Sequence, residues 1–194
     1  MRLVEHDKRE DKKVWLDSDE IQSLLDQPDD TEKEIAFSLG ARCGLRSHEI
    51  LNVTPEHVFE DNGQQWLQVP EGKGDKYREA PIHETLASQI RTVGNVRDQP
   101  DKPVVTVTST AALRYWIGHA RDQLAEETGD SRWTHVSMHD LRRTWATQLA
   151  SRDVDPLIVC EWGGWNDLDT FLNHYQGTYD PEAQARERSK VDWL

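Results

Sequence analysis

The stretch "SMHDLRRTWATQLA", residues 137–150, decides the fold. Leu141, Trp145 and Leu149 recur at i, i+4 and i+8, the spacing of a helix that buries one stripe against a core. His139 and Arg142 stand three apart, so they project from one side of the first turn and can converge on a single object. An imidazole beside a guanidinium suits a small anion. Asp140 and Arg143 complete a polar group ahead of the apolar face.

Composition bounds what such a helix could serve. The chain has 194 residues, enough for one domain of ordinary size with a real core. No apolar run approaches the length of a membrane span, and the start, "MRLVEHDKREDKKVW", is charged rather than signal-like, so the expectation is a cytoplasmic protein with no membrane contact. Cys43 and Cys160 lie far apart without a CxxC, which suggests neither a zinc site nor a disulfide framework but two buried, reduced thiols. The net charge of -13 ordinarily argues against nucleic-acid binding. Its make-up points elsewhere: 20 Asp and 16 Glu against 15 Arg and only 8 Lys resembles proteins adapted to molar salt. At 1 M ionic strength the Debye length is about 3 Å, so diffuse acidity repels a distant anion weakly while a local arginine cluster still acts at contact. The competing explanation is a protein that binds cations or basic partners.

Outward from residues 137–150 the chain alternates helix signals with one β segment. Residues 1–14 read as a charged arm or linker end. Asp17 with Glu20, and Thr31 with Glu34, form capping boxes for two helices, the second ended by Gly44; "LRSHEILNV" is a short third, closed by Pro55. From residue 56 the period changes to alternation. Apolar residues alternate about Asn62-Gly63, a strong hairpin signal, and "KYREAPI" adds a third strand after Gly72 and Gly74. "HETLASQIRTV", "TSTAALRYWIGHARDQLAEETG", "DPLIVCEWGGW" and "DLDTFLNHY" read as further helices, and the tail "PEAQARERSKVDWL" is polar with an apolar tip. The fold class is therefore mainly α (α+β): a helical bundle with a small three-stranded antiparallel sheet.

Six residues stand at the ends or edges of these elements: Arg46, Lys73, His139, Arg142, Trp165 and Tyr175. Alone, each has an ordinary reading, as a surface ion pair, a hairpin turn, a cap or a packing aromatic. His48, His57, His83, His119, His135 and His174 keep those readings. In order, however, the segments "RCGLRSHEI", "GKGDKYREAP", "HDLRRTWAT", "GGW" and "FLNHY" resemble the boxes of the tyrosine recombinases, the phage integrase family. The resemblance runs from about residue 15 to residue 180. Where family members usually carry a second histidine after the arginine, this chain has Arg143.

The resemblance implies site-specific DNA recombination, in which strands are cleaved and rejoined through a 3′-phosphotyrosine with neither metal nor other cofactor. Chemistry supports each assignment. A tyrosine phenol, Tyr175 with Tyr179 as the alternative, conserves bond energy as a phosphodiester that a 5′-hydroxyl can later attack. Guanidinium forks such as Arg46 and Arg142 match the charge spread over nonbridging phosphate oxygens. Lys73, with Lys76 as fallback, can protonate the departing 5′-oxygen. His139 can accept the phenol's proton or bond a phosphate oxygen, and Trp165 offers an indole N–H. Glu49 can brace Arg46, and Asp140 a neighbouring arginine.

The expected organisation is an arm at 1–14, a catalytic domain at 15–180, and a tail at 181–194 that packs in trans through Trp193 and Leu194. Expected partners are double-stranded DNA attachment sites and further copies of the chain, monomeric in solution and tetrameric on DNA. Family members carry a helical clamp domain ahead of the catalytic one, and about 15 residues stand there in this sequence. That leaves an excised domain of a longer integrase or a minimal recombinase. Composition and resemblance together point to a halophilic archaeal source. Three alternatives stay open: a type IB topoisomerase, a catalytically silent DNA-binding regulator or decoy, and a halophilic module unrelated to DNA.

Overall fold

The computed structural model describes residues 1–5, 12–69, 78–175 and 181–193. Lys73, Lys76, Tyr179 and Leu194 lie outside the described residues, as does the ring of Tyr175. An N-terminal hairpin pairs β1 (Arg2–Glu5) with β2 (Lys12–Trp15). Helices α1 (Ser18–Leu25), α2 (Thr31–Cys43) and α3 (Ser47–Ile50) follow. Strands β3 (Val58–Asp61), β4 (Gln64–Val69) and β5 (Arg78–Pro81) form an antiparallel sheet in sequence order. Then come α4 (Glu84–Arg97), α5 (Thr110–Thr128), α6 (Met138–Ser151), α7 (Pro156–Gly163), α8 (Leu168–Tyr175) and α9 (Pro181–Arg188). No helix among the described residues is long and apolar enough to cross a membrane.

Local signals explain most boundaries. Asp17 accepts from the Glu20 N–H while Glu20 accepts from that of Asp17, the reciprocal cap expected for α1. In α2 the cap is Asp30 rather than Thr31: its carboxylate accepts from the Glu32 and Lys33 N–H groups, one residue earlier than the Thr31–Glu34 pattern implied. The β3–β4 turn takes Asn62 and Gly63 at φ 50° and 73°, the left-handed pair that a two-residue hairpin requires. His57 and His83 each accept a nearby backbone N–H through Nδ1, so both serve caps.

The centre of the molecule is the contact of α2 with α6. Leu141 is fully buried and rests on Gly40, where an added Cβ would come within 3.2 Å of the leucine. Gly44 ends α2 at φ 67°, and a Cβ there would stand 2.2 Å from the Trp145 ring. Trp145 is buried and Leu149 half-buried, so the apolar stripe exists but fades at its third position. A second, smaller core joins α6 to α7 and α8 through Trp145, Ala146, Val159, Cys160 and Phe171. Both cysteines are free and buried.

One expectation needs correction. Residues 1–14 are not simply a charged arm, because β2 runs along α6 and buries its polar side as well. The Val14 N–H donates to Asp140 Oδ1 at 3.0 Å, and the Leu16 N–H to Thr144 Oγ1 at 3.1 Å. Asp140 also accepts the Ser137 N–H and hydroxyl and pairs with Arg143, whose guanidinium lies 5.4 Å from the Trp15 ring centroid. Asp140, Arg143 and Thr144 are buried in consequence. Burial raises the Asp140 carboxyl's pKa, against the lowering effect of Arg143. Removing that carboxylate strands a buried guanidinium, so Asp140→Ala is expected to destabilise the fold by about 3–5 kcal/mol. Denaturant unfolding of parent and variant measures it; equal midpoints would mean that β2 is not fastened through Asp140.

Candidate active site

The C-terminal turn of α7 organises three arginines that the sequence places far apart. Gly164 takes the left-handed conformation at φ 63°, ending the helix and leaving its last carbonyls without helical partners. Arg78 Nε donates to the Trp162 carbonyl at 2.9 Å, Arg142 Nη2 to that of Gly163 at 2.7 Å, and Arg46 Nη2 to that of Gly164 at 3.0 Å. Three consecutive carbonyls thus hold three guanidiniums, and the negative end of the helix dipole favours positive charge there. Trp66 of β4 meets Trp162 edge-on at 6.3 Å, which sets α7 against the sheet.

Arg142 is 3% exposed. Its Nη1 donates to the Gly44 carbonyl, so one side chain closes the ends of both α2 and α7. The guanidinium carbon lies 4.0 Å from the Trp165 ring centroid, and Trp165 in turn stacks on Trp145 at 6.2 Å and meets Phe171 edge-on at 5.3 Å. Gly163 is needed beneath that indole, since a Cβ there would overlap the Trp165 ring. Trp165 was expected for its N–H; what the structure adds is a flat face that holds Arg142 in orientation.

Arg46 caps the start of α3 and is more open, with 35% of its side chain exposed. Glu49 accepts from Arg46 Nη1 at 2.8 Å and from the Arg46 backbone N–H at 2.6 Å. Unexpectedly, Glu49 also takes both Nη groups of Arg78, at 2.7 and 2.8 Å. Burial alone would push the Glu49 carboxyl up; the hydrogen bonds and charge of Arg78, the Arg46 backbone donor and the Arg46 charge outweigh it and hold the pKa at about 2.

His139 occupies the first turn of α6, exposed and three residues before Arg142. Asp140 braces Arg143 rather than Arg142. Tyr175 is the last residue of α8, which packs on α6 and α7, the two helices that hold Arg142. Arg46, Glu49, Arg142 and Trp165 are therefore brought together, with the backbone of Tyr175 on a neighbouring helix. Arg78 was not singled out as a site residue, although it lies within the quoted segment "GKGDKYREAP". Its signal is present in the sequence only as a charged residue on the expected third strand.

The Glu49 cluster makes stability depend on pH in a definite direction. Its carboxyl titrates lower in the folded than in the unfolded chain, so it contributes stability above the ordinary glutamate range that is lost as pH falls toward about 2. Glu49→Gln is expected to be less stable than the parent by about 3 kcal/mol at neutral pH, the gap narrowing through that acid window. Unfolding curves collected from pH 7 to pH 2 check this; a gap independent of pH would contradict it.

With this geometry in hand, the kinship of the chain can be read. Residues 14–181 match the model of the phage integrase family. The tyrosine recombinase XerA of Pyrococcus horikoshii is 28% identical over 185 residues, covering 91% of this chain and 61% of the relative, so the chain spans less than two thirds of that protein's length. Among solved structures, a crystal structure of XerA recombinase superposes with a TM-score of 0.71 at 22% identity, covering 91% of this chain and 64% of that one. The Tn1549 transposon integrase in complex with transposon right end DNA gives a TM-score of 0.73 at 18% identity, over 96% of this chain and 68% of that one. A match over most of the chain, around a site assembled from that family's boxes, leads to one conclusion: this chain belongs to the phage integrase family, the tyrosine recombinases.

Proposed function

We propose that the chain is the catalytic domain of a site-specific DNA recombinase that cleaves and rejoins strands through a 3′-phosphotyrosine. The observation that carries this reading is the seating of Arg46 and Arg142 on the adjacent carbonyls of Gly164 and Gly163. Consecutive Cα atoms are about 3.8 Å apart, so two positive forks are fixed close together. Fixed, partly desolvated guanidiniums meet developing phosphate charge without reorganising. The Tn1549 relative is a complex with DNA, which accords with duplex attachment sites as substrate.

In the proposed step the Tyr175 phenolate oxygen bonds to phosphorus as the bond to the 5′-oxygen breaks. His139 takes the phenol's proton or bonds a phosphate oxygen, and Lys73 gives one to the departing oxygen. Arg46 and Arg142 hold the nonbridging oxygens, while Trp165 keeps Arg142 in plane. Attack by a 5′-hydroxyl reverses the step and reseals DNA, and the phosphotyrosine bond stores the energy, so no nucleotide is consumed.

The same reading takes residues 15–180 as the catalytic domain and residues 1–14 as its entry segment. In residues 181–194, α9 already rests on its own chain: Arg186 donates to the Ser151 carbonyl at 2.8 Å and pairs with Asp153. Trp193 is 84% exposed, open to a neighbouring copy in a tetramer assembled on DNA from monomers. The Asp-rich, Lys-poor composition supports work in molar salt inside a halophilic archaeal cytoplasm, where buried arginine contacts are screened little.

The test is a nicked suicide duplex carrying a candidate attachment sequence, incubated at salt from low to molar and resolved on a denaturing gel. A protease-sensitive, slowly migrating DNA band is expected, lost in Tyr175→Phe while duplex binding persists. Arg142→Ala should slow its formation by about 10²–10³-fold. An adduct that survives Tyr175→Phe would move the nucleophile to Tyr179, and duplex binding without any adduct would favour a silent regulator.

A further inference from the structure

Resting on that reading, we propose that Arg78 is a positioning residue: by occupying the Glu49 carboxylate it keeps Arg46 fixed yet charged toward the scissile phosphate. Glu49 is shared. Oε1 accepts from Nη1 of both arginines, while Oε2 accepts from the Arg46 backbone N–H and from Arg78 Nη2. Arg78 thus holds the carboxylate as a bidentate fork, the geometry that fixes both oxygens in one plane. Arg46 receives one side-chain contact from that carboxylate and one from the Gly164 carbonyl.

Charge explains why a second arginine belongs there. One buried carboxylate facing Arg46 alone would neutralise it and rotate freely toward a bidentate grip, leaving no net charge for a phosphate. With Arg78 present the three groups sum to one positive charge, and the exposed member is Arg46: 35% of its side chain is open, against 10% for Arg78 and 3% for Glu49. Of the five N–H donors on the Arg46 guanidinium, contacts with described residues use two. Arg78 is itself pinned, its Nε on the Trp162 carbonyl and its Cδ where a Cβ on residue 164 would come within 2.8 Å, so glycine there leaves the room it needs.

The proposal separates position from mere support. Arg78→Lys keeps the charge but cannot form the fork. It is expected to lower single-turnover cleavage of the nicked duplex by about 10-fold or more, as loss of one charge-orienting contact does, with duplex affinity within about 2-fold of the parent. Arg78→Met and Glu49→Gln should be non-additive, the double variant cleaving no more slowly than Arg78→Met alone. A purely structural arginine would instead lower thermal stability and affinity together and leave cleavage by the folded fraction unchanged.

A second readout needs no cleavage. Inorganic phosphate is titrated while the Arg46 Nε–Hε resonance is followed by NMR in parent and Arg78→Lys, with weaker phosphate binding expected in the variant. If the parent forms no adduct but Arg78→Lys still weakens phosphate at Arg46, the recombinase reading fails and the positioning role stands. If cleavage and phosphate binding are both unchanged in Arg78→Lys, the positioning role is overturned.

Discussion

Three carbonyls at the end of one short helix are what the rest of this structure depends on. Residues 162–164 leave the α7 ladder because Gly164 turns left-handed, and each released oxygen takes a guanidinium from a different element: β5, α6 and the start of α3. Like charges so close repel unless something holds them. Here the holding is done by the carbonyl dipoles, by the Glu49 carboxylate and by the Trp165 face. The result is a cluster that is positive in sum and rigid before any ligand arrives.

Rigidity at the cluster is passed on by packing. Arg142 ties the end of α2 to the end of α7, and Leu141 and Trp145 on the same helix fill spaces that Gly40 and Gly44 leave open. On the opposite side β2 and the following Leu16 clamp α6 through Asp140 and Thr144, and Arg143 lies against Trp15. The helix is therefore buried over most of its circumference from Met138 to Thr147. A shift of the N-terminal strand would move Arg142, which links that strand mechanically to the arginine cluster.

How far the sequence could be read follows from the range of the forces involved. Helix starts at Asp17 and stops at Gly44, and the Asn62-Gly63 hairpin, are local interactions between residues a few positions apart, and they were legible. The boxes around Arg46, Glu49, Arg142 and Trp165 were legible as a constellation because their order matches a family. The Arg78–Glu49 fork and the Asp140 bond to β2 were not, because each joins residues brought together only by tertiary packing. Charged Lys12 and Lys13 masked Val14 and Trp15, whose burial turns a nominal arm into a strand. Arg143 looked like a lost histidine and proves to be a core residue paired to Asp140.

The acidity of the chain and the positive character of its site are reconciled by scale. Diffuse surface carboxylates act over a Debye length, whereas the arginine cluster acts at hydrogen-bond distance through a partly desolvated path. The most direct measurement is a crystal structure grown with tungstate, a phosphate-like dianion whose tungsten atom is located by anomalous scattering. A peak within hydrogen-bonding reach of the Arg46 and Arg142 guanidiniums, with the bonds to Gly163 and Gly164 retained, is the expected result. Full tungstate occupancy elsewhere on the surface, with the cluster empty, would contradict the claim that these carbonyls assemble a phosphate site.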